Sequence, residues 1–373
     1  MVRRLLFLNG LAIVAVVCNH ATAWAYTAMF WWTDRYCPVI APNYDQLGTL
    51  PYYGVVVVNK LAIFSVPAFL FVTGFFVAYA ARGNHSTLGW KMVKVRIRSL
   101  LVPYLIWSIV IFVGDFLDGT TYAPVEYLER LASGRAVPAY YYILVLCQFY
   151  LLAPLVALIA KTRGRQLLFG SALVLLGFIS LWYLRLFGRL YGVEMPAVDL
   201  MIKLLPMSSS VRYLFFFSFG VVSGFRVQQL KLWLARLKWG LLLALVVLTP
   251  LAIVESELMF RATGMDWRSS PFTIASCLYV VAFVLCFLAF DQVSIPCSRL
   301  IYQLGRASFG IYLLHQPVLE FIARAIQKFV PWILAYQVLF LPLIVALAVG
   351  GPLLFMTAVA RSPVRKSYRY LFG

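Results

Sequence analysis

Ten apolar runs divide this chain and leave only short polar breaks between them, at roughly 5–31, 54–81, 99–116, 139–160, 166–186, 209–228, 239–257, 271–290, 306–325 and 335–360. One membrane-crossing helix needs about 20 mostly apolar residues. Within hydrocarbon every backbone N–H and C=O must find its partner inside the protein, so runs of this length read as helices. The predicted fold is all-α: a polytopic membrane helical bundle of about ten transmembrane helices, one domain over 1–373 with no repeat of fixed period. The charge content agrees, at 12% against 63% hydrophobic residues, where a soluble domain carries about 25% charged residues. Arg3-Arg4, the run from Leu5 and Ala21-Thr22-Ala23 have the layout of a secretory signal. The apolar run continues past Ala25 to Trp32, however, so a retained first helix is expected.

Charge placement orients the bundle. With the N-terminus inside, the inner ends of the predicted helices are 1–4, 82–98, 161–165, 226–238, 291–306 and 361–373. They hold 20 of the 32 Lys and Arg and, of the 13 acids, only Asp291. The net charge of +19 thus falls wholly on one face. By the positive-inside rule that face is cytoplasmic, with both termini on it. Anionic lipid accounts for such a charge, so no nucleic-acid partner is expected. The longest polar stretches, 32–53, 117–138 and 187–208, fall outside, and Val125–Leu131 within the second reads as a short interfacial helix. Cys18, Cys147, Cys277 and Cys286 sit in apolar runs. No disulfide framework is expected, and the three histidines are too scattered for a metal site.

Polar groups in the hydrocarbon layer are costly, and each one is a candidate for function. His20, followed by Thr22 and preceded by Asn19, lies about 22 Å up the first helix at ~1.5 Å per residue. His315 sits near the midplane in Gly310-Ile311-Tyr312-Leu313-Leu314-His315-Gln316-Pro317. Pro317 frees the Leu313 carbonyl close to it, so His315 could instead serve the resulting kink. Gln148 is expected in the same layer. Lys60 and Arg324, near outer ends, read as snorkelling side chains. Asp115, Glu255, Glu257 and Glu320, also near outer ends, could each orient a histidine. At the inner face Lys91, Lys94 and Arg98 share one helical side at i, i+3 and i+7, with Arg96 pointing elsewhere. Such a side can hold phosphates or simply anchor the bundle.

Taken in order, these segments resemble the acyltransferase-3 family of membrane acyltransferases along nearly the whole chain. The resemblance rests on Phe7 through His20, on Ser65-Val66-Pro67-Ala68-Phe69 through Thr73-Gly74, and on Arg96-Ile97-Arg98 leading to Pro103-Tyr104 and Trp107. It continues through Tyr141-Tyr142, Gln148, Tyr150 and Pro154 to Ser308-Phe309-Gly310-Ile311-Tyr312-Leu313-Leu314-His315. One departure stands out: the family shows Arg, ten residues, then His in its first helix, and this chain has Asn9 at the Arg position.

The resemblance implies transfer of an acyl group, commonly acetyl, from cytoplasmic acyl-CoA to a hydroxyl of a glycan or lipid-linked sugar. The expected location is a bacterial cytoplasmic (inner) membrane. Acyl-CoA is then a co-substrate, with no tightly bound cofactor expected. His20 is the expected general base, since imidazole is tuned for proton removal near neutral pH. Asn9, Asn19, Gln148, Tyr312 and His315 are expected supports, and Lys91, Lys94, Arg96 and Arg98 the expected donor-binding residues. The rival reading is a transporter or exporter of a polar solute or polysaccharide. No pair of matching broken helices, which transporters often show, is visible in the sequence.

Overall fold

The computed structural model describes residues 2–82, 89–264, 270–294 and 296–373, so the third histidine, His85, and part of the 82–98 segment lie outside the described residues. Among the described residues the regular structure is helical, apart from an isolated bridge between Asp34 and Cys37. The α-helices are α1 (Val2–Phe30), α2 (Leu50–Ala62), α3 (Ser65–Ala80), α4 (Trp90–Leu117), α5 (Pro124–Ser133), α6 (Tyr141–Tyr191) and α7 (Pro196–Leu204). They continue with α8 (Leu214–Phe225), α9 (Val227–Thr263), α10 (Ile274–Ala289), α11 (Ser298–Phe329), α12 (Gln337–Arg361) and α13 (Tyr368–Phe372). A 3₁₀ turn at Ser210–Tyr213 leads into α8.

Among the described residues six helices are long and apolar enough to cross a membrane: α1, the α2–α3 pair over 50–80, α4, α6, α9 and α12, with α10 and the segment 210–225 as shorter apolar helices. The expected runs fall on these helices and on α11, which is not among them, and several boundaries shift: α4 and α9 begin at Trp90 and Val227, nine and twelve residues before the expected 99 and 239. The second run is broken at Ile63–Phe64 into α2 and α3. The fourth and fifth merge into the 51-residue α6, kinked where Arg163 takes φ −129° and ψ 42°. The ninth begins eight residues before the expected 306, at Ser298. The expected short helix at 125–131 is the ten-residue α5, which ends at Gly134 in the left-handed region, φ 70°, where glycine pays no Cβ penalty.

Close packing rests on glycines, as it does where apolar burial cannot drive helix association within lipid. In α3 a Cβ at Gly74 would strike the Phe217 carbonyl, and one at Gly220 of α8 would strike that of Phe71. In α1 a Cβ at Gly10 would strike the Ile301 carbonyl, and one at Gly305 of α11 the Leu6 carbonyl. These four helices form the buried centre. Helix α9 lies outside it, exposing Leu243, Val246, Val247, Leu251, Val254 and Leu258, an apolar face of the kind lipid covers.

Candidate functional site

The Gly10–Gly305 crossing sets the height of the site. From it both helices advance ten residues, about 15 Å, and bring His20 of α1 to His315 of α11, with ring centroids 5.2 Å apart. His315 is fully buried. Its Nδ1 donates to the Tyr312 carbonyl one turn back, 2.6 Å away, and its Nε2 is buried with no hydrogen-bond partner. His20 is half-buried, and its Nδ1 lies 2.8 Å from the Gln316 side-chain nitrogen. The C-terminal part of α1 is tied to α2 by a short polar ladder. Asn59 Nδ2 donates to Thr22 Oγ1 at 2.7 Å, and Thr22 Oγ1 donates to the Asn19 carbonyl at 2.6 Å.

The Leu313 carbonyl freed by Pro317 accepts from the Tyr140 hydroxyl at 2.8 Å. Tyr140, just before α6, therefore serves the kink, and His315 is released from that role. Tyr312 returns the contact, donating from its hydroxyl to the Ala139 carbonyl. Its ring stands 5.4 Å from that of His315 and 5.5 Å from that of Tyr142.

Several expected contributors lie elsewhere. Gln148 does not join the histidines: its Nε2 donates to the Ser208 carbonyl at 2.7 Å and its Oε1 accepts from Ser210 N at 2.9 Å, pinning the loop before α8. Asn9 is eleven residues below His20, about 16 Å along the helix, with its Oδ1 buried and without a hydrogen-bond partner. It cannot touch the imidazole, and among the described residues no arginine hydrogen-bonds to His20 in its place. Arg4 is occupied by the Phe287 and Val293 carbonyls at 3.1 Å each and by the Phe287 ring. Lys60 does not snorkel. It is buried, with Nζ donating to Ser276 Oγ at 3.2 Å, because the start of α10 comes over it.

The four carboxylates expected near outer ends all have partners away from the histidines. Asp115 accepts from Tyr122, Glu255 from Tyr183 and Ala275 N, Glu257 from Tyr52 and Arg261, and Glu320 from Arg324. Arg324 is exposed and paired with Glu320 at 2.8 Å.

At the basic end, a cavity of about 240 Å³ opens beneath the histidine layer. Arg96, Ser99, Tyr150, Arg306, Gly310 and the C-terminal residues Tyr368, Phe372 and Gly373 line it. Phe372 is buried and stacks on Trp107 with centroids 6.4 Å apart, while the Trp107 indole donates to the Leu371 carbonyl at 2.9 Å. Arg98 lines a separate recess with Arg369 and Tyr370. Lys91 and Lys94 are exposed on the first turns of α4 and line neither recess. The arginine expected to point away is thus the one facing the cavity. Its partner Arg306, like Tyr140 and Gln316, had no role in the sequence reading. The Pro317 kink was the signal that a hydroxyl was needed nearby, and nothing local pointed to the others.

Comparison with known proteins agrees with this architecture. The chain is 20% identical over 302 residues to a probable poly-beta-1,6-N-acetyl-D-glucosamine export protein of Staphylococcus aureus strain MRSA252, covering 79% of each chain. The proteins of the same description from strains MSSA476 and MW2 match to the same extent. No solved structure gives a significant match. The acyltransferase-3 model, described as an acyltransferase domain, matches residues 5–356, nearly the whole chain and both histidine-bearing helices. This integral membrane protein belongs to the acyltransferase-3 family.

Proposed function

We propose that the protein transfers an acyl group, acetyl in the simplest case, from cytoplasmic acyl-CoA to a hydroxyl of a glycan or lipid-linked sugar presented at the outer side. In this reading the chain crosses the membrane ten times, with α6 counted as two crossings and both termini in the cytoplasm. The supporting observation is one helix, α11, that carries Arg306 at the basic cavity and His315 in the paired-histidine layer. Gly310 of the cavity wall lies five residues from His315, about 7.5 Å along the helix.

Phosphates of the donor would rest on Arg96 and Arg306, which can offer planar forks of N–H donors. The narrow thioester arm would pass Gly310 toward the histidines. There the attacking hydroxyl, whose pKa lies far above neutral, needs a base within hydrogen-bond reach, and a neutral imidazole meets that need. Burial of His315 keeps bulk water from competing for the thioester.

The export description of the relatives favours a second reading, in which the bundle moves a polysaccharide without acylating it. Purified protein in detergent, given acetyl-CoA and cell-envelope glycans, separates the two. Release of free CoA thiol that depends on added glycan, with label appearing on the glycan, is the expected result. Absence of thiol release together with glycan movement into proteoliposomes would replace the enzyme by the exporter.

A further inference from the structure

The hydrogen bonds at the two rings are not equivalent, and their chemistry assigns a tautomer to each. A backbone carbonyl can only accept, so the Tyr312 contact requires the His315 proton on Nδ1 and leaves the lone pair on Nε2. The nitrogen of a Gln side chain can only donate, so the Gln316 contact occupies the His20 Nδ1 lone pair and leaves the His20 proton on Nε2. One ring therefore offers a lone pair and the other an N–H, 5.2 Å apart between centroids. The His315 lone pair is the unusual group. It is buried in a packed interior with no partner, and a buried acceptor left unpaired is destabilising. The kink cannot explain it, because Tyr140 holds the Leu313 carbonyl.

We infer that His315 Nε2, rather than His20, is the atom that takes the proton, and that His20 acts as the hydrogen-bond donor of the pair. This assignment rests on the acyl-transfer reading above. The acceptor hydroxyl enters past the half-buried His20 ring and donates its proton to His315 Nε2 as its oxygen bonds to the thioester carbonyl carbon. His20 Nε2–H donates to the carbonyl oxygen while that oxygen carries the developing negative charge, as an oxyanion-hole donor does. Collapse breaks the carbon–sulfur bond, the ester leaves with the acceptor, and the thiolate recovers the proton from the His315 imidazolium. No oxidant or further reactant is needed. Tyr312 and Gln316 are positioning residues, each acting through the ring it holds.

The assignment separates variants that a His20 base would make alike. An Asn amide can reproduce the Nδ1–H donated to Tyr312 but has no equivalent of the Nε2 lone pair. A Gln amide can reproduce an N–H at the Nε2 position. His315→Asn should therefore fold, bind acyl-CoA and lose about 10²–10⁴-fold in kcat. His20→Ala should lose about 10²–10³-fold, the cost of one oxyanion donor, whereas His20→Gln should stay within about tenfold of wild type. Should His20→Gln fall as far as His315→Asn, or His315→Asn turn over like wild type, the assignment is wrong.

An activity-independent readout keeps the two hypotheses apart. In the ¹⁵N spectrum of histidine-labelled protein, His315 should be protonated at Nδ1 and His20 at Nε2, each signal identified by its loss in the matching variant. The same nitrogen protonated in both rings would overturn the assignment even in a fully active enzyme. The expected tautomers without any thioester consumption would instead overturn the acyl-transfer reading.

Discussion

Replacing Gly305 by alanine tests whether the crossing of α1 and α11 sets the geometry of the site. A Cβ there would strike the Leu6 carbonyl and come within 3.1 Å of the Gly10 nitrogen, both of them backbone atoms that cannot rotate away. Ordinary carbon contacts begin near 3.4 Å, so relief requires the helices to part by roughly 1 Å. Overpacking of this kind costs about 1–3 kcal/mol. The larger consequence lies ten residues on, where His20 and His315 must keep a common height and spacing. A displacement of about 1 Å at reacting groups can cost about 10²-fold in rate. Gly305→Ala should thus lower the unfolding midpoint in detergent modestly and kcat about 10²-fold, with acyl-CoA affinity nearly unchanged. Gly114→Ala, at a position with nothing within 4 Å of a Cβ, is the control and should alter neither. If Gly305→Ala matches the control in both measurements, the crossing does not govern the histidine pair.

Tyr140→Phe leaves the Leu313 carbonyl unpaired in a buried site and should destabilise the protein by about 1–3 kcal/mol, read as a lower thermal midpoint; an unchanged midpoint would return the kink to His315. Replacing Arg96 and Arg306 together by Gln should weaken acyl-CoA binding by about 3–6 kcal/mol, from about 1.5–3 kcal/mol for each charged hydrogen bond. Lys91→Gln with Lys94→Gln should change binding little, and titration calorimetry decides between the two pairs. A cysteine introduced at Ser367, in a background lacking native cysteines, should resist an impermeant thiol reagent applied to intact cells; labelling from outside would reverse the proposed orientation.

What the sequence could reveal divides along physical lines. Helix positions follow from runs of apolar residues, a local property, and α1, α10 and α12 lie close to where hydropathy puts them. The Pro317 kink is equally local, and the freed Leu313 carbonyl is visible from residue order alone. Its partner Tyr140 is 173 residues away, and no pattern within α11 names it. Depth counting placed Gln148 beside the histidines because it measures height along a helix and not rotation about it. Its amide faces the loop before α8 instead. Helical-face arithmetic puts Lys91, Lys94 and Arg98 on one side of α4, yet only Arg98 of the three lines a recess. Which side of α4 meets the cavity depends on α11 and on residues 368–373 packing there, and a single helix carries no trace of that. Lys60 misled for a related reason: closeness to a helix end suggested water, but the start of α10 covers it.

The family match stops at residue 356, whereas the cavity at the basic end is finished by Tyr368, Phe372 and Gly373. The wall facing Arg96 and Arg306 is therefore supplied by a segment outside the shared domain, held by one indole hydrogen bond and one buried phenylalanine. Such a segment can vary in length and chemistry without disturbing the glycine crossing or the histidines above it. In the acyl-CoA reading it would make the width of the donor entrance an independently adjustable part, and a graft of residues 362–373 between family members is the smallest change expected to exchange donor preference while leaving the proposed reaction centre untouched.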